Sequence, residues 1–279
     1  MKIIADIYYL IKAFGEEEAF RMVKEAGFDG IDYSFFAPSP EESPLTDGYL
    51  QRAAQTRLLL DKYGLVCNQA HATFGKSVYG DPMDQSCWEY DQIVRAMEYS
   101  SIIGVKHIVV HCIKPPAGVD VIAYNVEYYR SLQPYAERFG VKIAVENLMT
   151  TLCRPDDYNA ALAQLDPKWF VALVDVGHSH YAKTPPETFI REVDPNRLKG
   201  LHIHDNDSTW DTHLFPYMGT IQWDHVMEAL AEVGYQGDLT LETGSGFLKR
   251  FDKDLYLVAL TFSADVCRHL AGKMEKFLG

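Results

Sequence analysis

The chain has 279 residues, 47% of them hydrophobic and 23% charged, which is enough to bury a large core. Its 26 Lys and Arg against 39 Asp and Glu leave a formal charge of −13, which disfavours a general binder of nucleic-acid backbones. No apolar run reaches the ~18–20 residues that cross a bilayer, and the opening MKIIADIYYLIKAFGEEE reads as a first strand rather than a leader.

Short β-rich runs alternate with amphipathic stretches along the whole chain. The predicted strands are Ile3–Ile7, Gly30–Phe35, Leu65–His71, His107–Cys112, Lys142–Asn147, Val171–Asp175, Leu198–His204 and Asp238–Glu242. Most are continuous runs of Val, Ile and Leu, the pattern of strands buried on both faces in a parallel sheet. Three- and four-residue apolar spacing predicts helices over Ala13–Ala26, Trp88–Ile103, Val226–Val233 and Leu255–Phe277. Gly27, Gly104, Gly140 and Gly234 each stand just before a strand, where a left-handed residue closes the preceding helix. Ala37–Gly48, APSPEESPLTDG, is the most loop-like stretch and is expected to overhang one end of the sheet.

Eight strands alternating with helices predict one α/β domain over residues 1–279, a (β/α)8 TIM barrel. An open doubly wound sheet is the competitor, but no GxGxxG opens the first helix. The five cysteines, Cys67, Cys87, Cys112, Cys153 and Cys267, are odd in number, scattered and without a CxxC pair. They indicate no disulfide framework, and they suit a reducing cytoplasmic compartment.

A barrel of this kind carries its chemistry at the C-terminal ends of the strands. There the sequence places His71, His111, Glu146, Asp175, His202 and Glu242 on six consecutive predicted strands, each after an apolar run. One such residue is explained by a cap or a structural hydrogen bond, as Asp175 and Asn147 could be. Six at one rim are not, because burying several carboxylates and imidazoles together is costly unless a cation pairs them. Two Glu, one Asp and His form an oxygen-rich set suited to Mn²⁺, Mg²⁺ or Co²⁺, with Zn²⁺ also possible; manganese is favoured.

The segments AVEN (Glu146), LVDVGH (Asp175, His178), KGLHIHD (His202, Asp205), DTHLFPYMGTIQW (Asp211, His213) and LTLE (Glu242) resemble the xylose-isomerase-like barrel superfamily. That superfamily contains sugar isomerases and epimerases as well as endonuclease IV. Resemblance to its ketose 3-epimerases implies one cation held by Glu146, Asp175, His202 and Glu242, with His178 on the substrate. It further implies that Glu146 and Glu242 form an acid/base pair on opposite faces of a sugar. The expected reaction removes a proton next to a carbonyl through a cation-stabilised enediolate; returning it to the other face epimerises, and to the neighbouring carbon isomerises. Loss of a β-leaving group gives the nearest alternative, a lyase or dehydratase on an oxidised sugar or cyclitol, C-glycoside cleavage of 3-keto sugars included.

Two departures from the epimerase pattern bear on substrate contacts. Asn206 and Asp207 follow where an arginine is usual, and the Pro-Gly-x-Gly turn survives only as Pro216-Tyr217-Met218-Gly219. The trinuclear zinc pattern of endonuclease IV also maps onto His71, His111, Glu146, Asp175, His178, His202, Asp211, His213 and Glu242, but the acidic charge and unmatched flanking residues place that reading behind the others. His71, His111, His204 and His213 join His178 as expected substrate contacts; strand alternation puts His204 on the same side as His202. Of Phe36, Phe74, Trp210 and Trp223, one or two are candidates to stack on a sugar face. The expected partner is a small sugar-like molecule, with no nucleic acid and no membrane, in a homo-oligomer or a heteromeric assembly.

Overall fold

The computed structural model describes residues 1–37, 39–74, 83–243 and 252–278. Eight parallel strands follow in chain order: β1 (Ile3–Asp6), β2 (Gly30–Ser34), β3 (Val66–His71), β4 (His107–His111), β5 (Lys142–Glu146), β6 (Phe170–Asp175), β7 (Leu198–His202) and β8 (Leu239–Leu241). Their order across the sheet is β7-β6-β5-β4-β3-β2-β1-β8. The two ends of that sheet meet at a bridge between Ile203 and Leu241, where Ile203 N–H donates to Thr240 O (2.8 Å) and Glu242 N–H to Ile203 O (3.1 Å). The result is the predicted (β/α)8 barrel, with helices on its outer face.

Strand boundaries agree with expectation to within a residue or two. The helix Trp88–Ile103 falls where its apolar spacing places it, and it ends at Gly104 with φ of 89°. Gly140 closes the helix Val121–Phe139 in the same left-handed conformation, φ 69°. The predicted helix Ala13–Ala26 is instead two, Tyr8–Phe14 and Glu16–Glu25, because Gly15 between them takes φ 83° and ψ 167°, outside the helical region. Apolar spacing continues across the break, so periodicity alone did not reveal it. Pro38, within the predicted loop Ala37–Gly48, lies outside the described residues; beyond it the loop carries a short 3₁₀ turn, Pro40–Glu42.

Alternation along each strand then sorts side chains into shell and lumen. Outward-facing residues such as Ile108, Val110, Ile143, Val145 and Val174 join the large core beneath the helices. Inward-facing Val109, Ala144, Val171 and Leu173 form a small separate apolar layer inside the barrel. One pleat further on, the same alternation delivers His111, Glu146 and Asp175 to the lumen's C-terminal end. Register aligns them: His111 pairs with Glu146, and Asp175 with His202. A slip of one residue would turn each outward into the helix-facing core.

Candidate metal centre

His71, His111, Glu146, Asp175 and His202 are the last residues of their strands, and Glu242 follows β8 directly. The ligand atoms of Glu146, Asp175, His202 and Glu242 all lie within 4.8 Å of one another. From His202 Nδ1 the carboxylate oxygens stand at 2.7 Å (Glu146 Oε1), 3.3 Å (Glu242 Oε2) and 3.8 Å (Asp175 Oδ2). Glu146, Asp175 and His202 are almost completely buried.

Asp175 has two tasks. Its Oδ1 accepts the backbone N–H of His178 (2.6 Å), capping the short helix Val176–Tyr181, and its position brings His178 into the site. Asn147 is no cap; its amide exchanges hydrogen bonds with the backbone of Asp175 (2.8 and 3.0 Å), fixing β5 against β6 at this level. His204 packs over Gly177, where a Cβ would lie 1.9 Å from its ring, and His204 Nε2 sits 3.1 Å from Asp175.

The five histidines expected to contact substrate also converge. His71, His178 and His213 each donate Nδ1–H to a backbone carbonyl, of Ala72 (2.8 Å), Asn147 (3.0 Å) and Glu242 (3.0 Å) respectively. Their Nε2 atoms are thereby turned inward, those of His178 and His213 toward the carboxylate of Asp211. His111 Nε2 lies 2.9 Å from Glu146 Oε2, and 3.1 Å from His71 Nε2. Two further groups of ligand atoms adjoin the first: His71, Glu146 and His202, and His178, His204, Asp211 and His213.

The charges in this region depend on one another. Burial opposes protonation of His202, but Glu242, Glu146 and Asp32 raise its pKa well above the ordinary range. Burial likewise opposes charge on His178 and His213, yet Asp175 and Asp211 for the first, and Glu242 and Asp211 for the second, push both up to about 10. Glu146, despite burial, is held well below the carboxylate range by His202 and His111. Without a cation the carboxylates are thus neutralised by imidazolium. Several buried oxygens and nitrogens still lack a hydrogen-bond partner: Glu146 Oε2, Glu242 Oε2, Asp211 Oδ1 and His204 Nδ1. Glu146 and Glu242, two of the four residues whose ligand atoms lie within 4.8 Å of one another, thus each keep an unpaired oxygen, and such acceptors are what a divalent ion satisfies, so the residues present fit one.

Two acidic residues of the site, Asp6 and Asp32, are absent from the set expected from the sequence. Asp6, at the end of β1, faces the same pocket, and burial together with the charge of Glu242 raises its pKa to about 7. Asp32, within β2, is 2% exposed and lies 3.2 Å from His202 Nε2. The signal was available: a carboxylate inside an apolar strand is expensive and needs a partner. Asp211, named in advance within the superfamily resemblance and as a ligand of the nuclease pattern, sits 3.0 Å from His213 Nε2 and 3.4 Å from His178 Nε2.

The pocket over the ligands has a volume of about 180 Å³ and is lined by Asp6, Tyr8, Tyr9, Asp32, Ser34, Phe36, His71, Phe74, His202, His213 and Glu242. Of the four aromatic candidates, Phe36 and Phe74 stack on each other beside it (4.8 Å between centroids). Trp223 is buried, its Nε1–H donated to Asp205 (2.9 Å), and Trp210 is 69% exposed.

A parallel barrel with a histidine- and carboxylate-lined C-terminal mouth defines a class of metal-competent TIM barrels. Residues 20–255 match the family model for the xylose isomerase-like TIM barrel, and the chain belongs to that family. Fructoselysine 3-epimerase of Escherichia coli O157:H7 is 25% identical over 240 residues, 81% of this chain and 84% of that protein. An uncharacterized protein of Methanocaldococcus jannaschii, MJ1311, is 27% identical over 129 residues, and the match spans only 44% of each chain. Among solved structures, D-psicose 3-epimerase of Clostridium cellulolyticum H10, with D-tagatose, superimposes with a TM-score of 0.75 at 17% identity, covering 97% of this chain and 99% of that one. The IOLI protein with a zinc atom gives 0.73 at 17% identity, covering 99% of both. These structural likenesses speak to the fold. Among the described residues no helix is long and apolar enough to cross a membrane.

Proposed function

We propose that this chain is a divalent-metal-dependent sugar isomerase or epimerase that removes a proton next to a carbonyl. The observation that carries the reading is the convergence of Glu146, Asp175, His202 and Glu242 within 4.8 Å at the mouth of the barrel. Kinship with fructoselysine 3-epimerase supports a keto-sugar substrate. The small pocket suits a monosaccharide unit better than the roughly 300–1,000 Å³ occupied by drug-sized ligands.

In this reading the four residues hold one cation, manganese by preference. Bound there, a divalent ion would polarise the substrate carbonyl and stabilise the charge left by proton removal. Glu146 and Glu242 face each other across the set, from β5 and beyond β8, and serve as the base and acid that take and return the proton. The backbone-anchored rings of His71, His178 and His213 present fixed nitrogens to substrate hydroxyls, joined by His111 and His204. Elimination from an oxidised sugar starts with the same proton abstraction and is the nearest alternative. The unpaired cysteines suit work in the cytoplasm.

The adjoining cluster of His178, His204, Asp211 and His213 favours a second reading with more than one cation, the endonuclease-like arrangement. Against it, the pocket lining contains no Lys or Arg among the described residues to meet a phosphate backbone. Elemental mass spectrometry on untreated protein tests both. About one Mn, Mg or Co per chain, with deuterium entering D-tagatose or D-psicose from D₂O, supports the isomerase. About three zinc per chain with nicking of abasic DNA would replace it, and a chain that takes up no metal would remove both.

A further inference from the structure

His202 offers two ring nitrogens, and a neutral imidazole has a lone pair on only one. Its Nδ1 faces Glu146, Asp175 and Glu242, the other three members of the set. Its Nε2 faces away from them, 3.2 Å from Asp32 Oδ2 on β2. An ionised carboxylate only accepts, so a proton on Nε2 is held there and Nδ1 is left free.

Asp32 is itself held. The same Oδ2 accepts Gln69 Nε2–H from β3 (2.7 Å). Gln69 Oε1 lies 3.1 Å from His107 Nε2 on β4, and His107 is kept neutral by burial, its pKa pushed down to about 4. Because the ionised carboxylate only accepts, Gln69 turns its NH₂ to Asp32, which leaves Oε1 to accept Nε2–H of His107. The chain also dictates Gly200 on β7: a Cβ there would stand 2.8 Å from Gln69 Oε1 and 3.1 Å from His107 Nε2. Four strands thus orient one imidazole. The geometry is specific to this ring, since His71, His178 and His213 anchor Nδ1 and present Nε2.

We propose that Asp32, braced by Gln69 and His107, is the positioning residue that fixes His202 as the Nε2–H tautomer and so presents Nδ1 to the cation. The proposal rests on the reading of Glu146, Asp175, His202 and Glu242 as metal ligands. Outer partners of this kind usually contribute 10–100-fold in metal affinity.

The test uses metal-stripped full-length protein titrated with Co²⁺, with calorimetric Kd and proton NMR of the Co²⁺-loaded form in H₂O and D₂O. Wild type is expected to bind Co²⁺ and to show a slowly exchanging, hyperfine-shifted imidazole N–H. Asp32→Ala should weaken Kd roughly 10–100-fold and speed exchange of that signal until it is lost. Asp32→Asn keeps an acceptor oxygen and should recover most of the affinity. Gln69→Leu, farther from the ligands, should lose a few-fold and covers the case in which Asp32→Ala fails to fold. Unchanged Kd and an unchanged N–H signal in the folded variants would overturn the positioning role alone. Wild type that binds no Co²⁺ would overturn the metal reading, and this inference with it.

Discussion

The two mouths of the barrel differ in the kind of charge they bury. The N-terminal mouth opens on a cavity of about 570 Å³ bordered by Lys106, Lys142, Lys199, Trp169 and Tyr235, while the C-terminal pocket measures about 180 Å³. At the larger one, the lysines reach solvent and the single lining carboxylate among the described residues, Asp238, is paired with Asn68 (2.6 Å). At the smaller one, imidazoles and carboxylates are buried together with several atoms left unpartnered. Exposed charges cost little to keep, whereas buried ones persist only where something compensates them. Density of buried ionisable groups therefore marks the working end.

That contrast is open to direct attack. Replacing Glu146 or Glu242 with Gln should reduce deuterium exchange into a ketose substrate by about 10²–10⁴-fold, while Lys142→Ala at the opposite mouth should leave it within twofold. Equal loss at both mouths would erase the distinction. Next in size is the cation: Mn²⁺ at about 100 times its Kd should stabilise the chain by about 2.7 kcal/mol, read as a rise in Tm of roughly 5–10 °C over the stripped protein. A Tm indifferent to chelator and metal would take the cation out of the comparison.

The smallest effect concerns Asp6. Its folded pKa of about 7 stands above the ordinary 3.8, so the stability it contributes is full below about pH 4 and is lost as pH rises through 7. Metal-free Asp6→Asn should accordingly gain roughly 1–2 kcal/mol over wild type at pH 8, since Asp6 keeps partial exposure, and nothing near pH 4. Denaturant melts at the two pH values decide it; an equal effect at both would mean the carboxylate is not strained by its neighbours.

Much of this mouth was legible in the residues because parallel strands end at one rim and each ligand follows an apolar run. Glu146 after KIAV and Asp175 after FVALV stand out against hydrophobic neighbours. Asp32 did not, because GIDYS reads as ordinary alternation, and its partner His202 lies 170 residues away. Asp6 was hidden by the expectation that β1 continues to Ile7. The two-part helix at Gly15 shows the same limit from the backbone side, since a break in dihedral angles leaves apolar spacing intact.

The joint between β7 and β8 gives the barrel mouth a mechanical character. Two backbone hydrogen bonds close that joint, and they involve Ile203 and Glu242. Immediately beside them stand His202 on one side and Glu242 on the other, the pair from which an ion would draw ligands across the gap. A cation in this place acts as a clasp on the weakest hoop of the cylinder. Amide hydrogen exchange at Ile203 and Glu242 should slow more on metal addition than at Ala172 or Leu173, deep in the sheet, so that loading the site and tightening the barrel become one event.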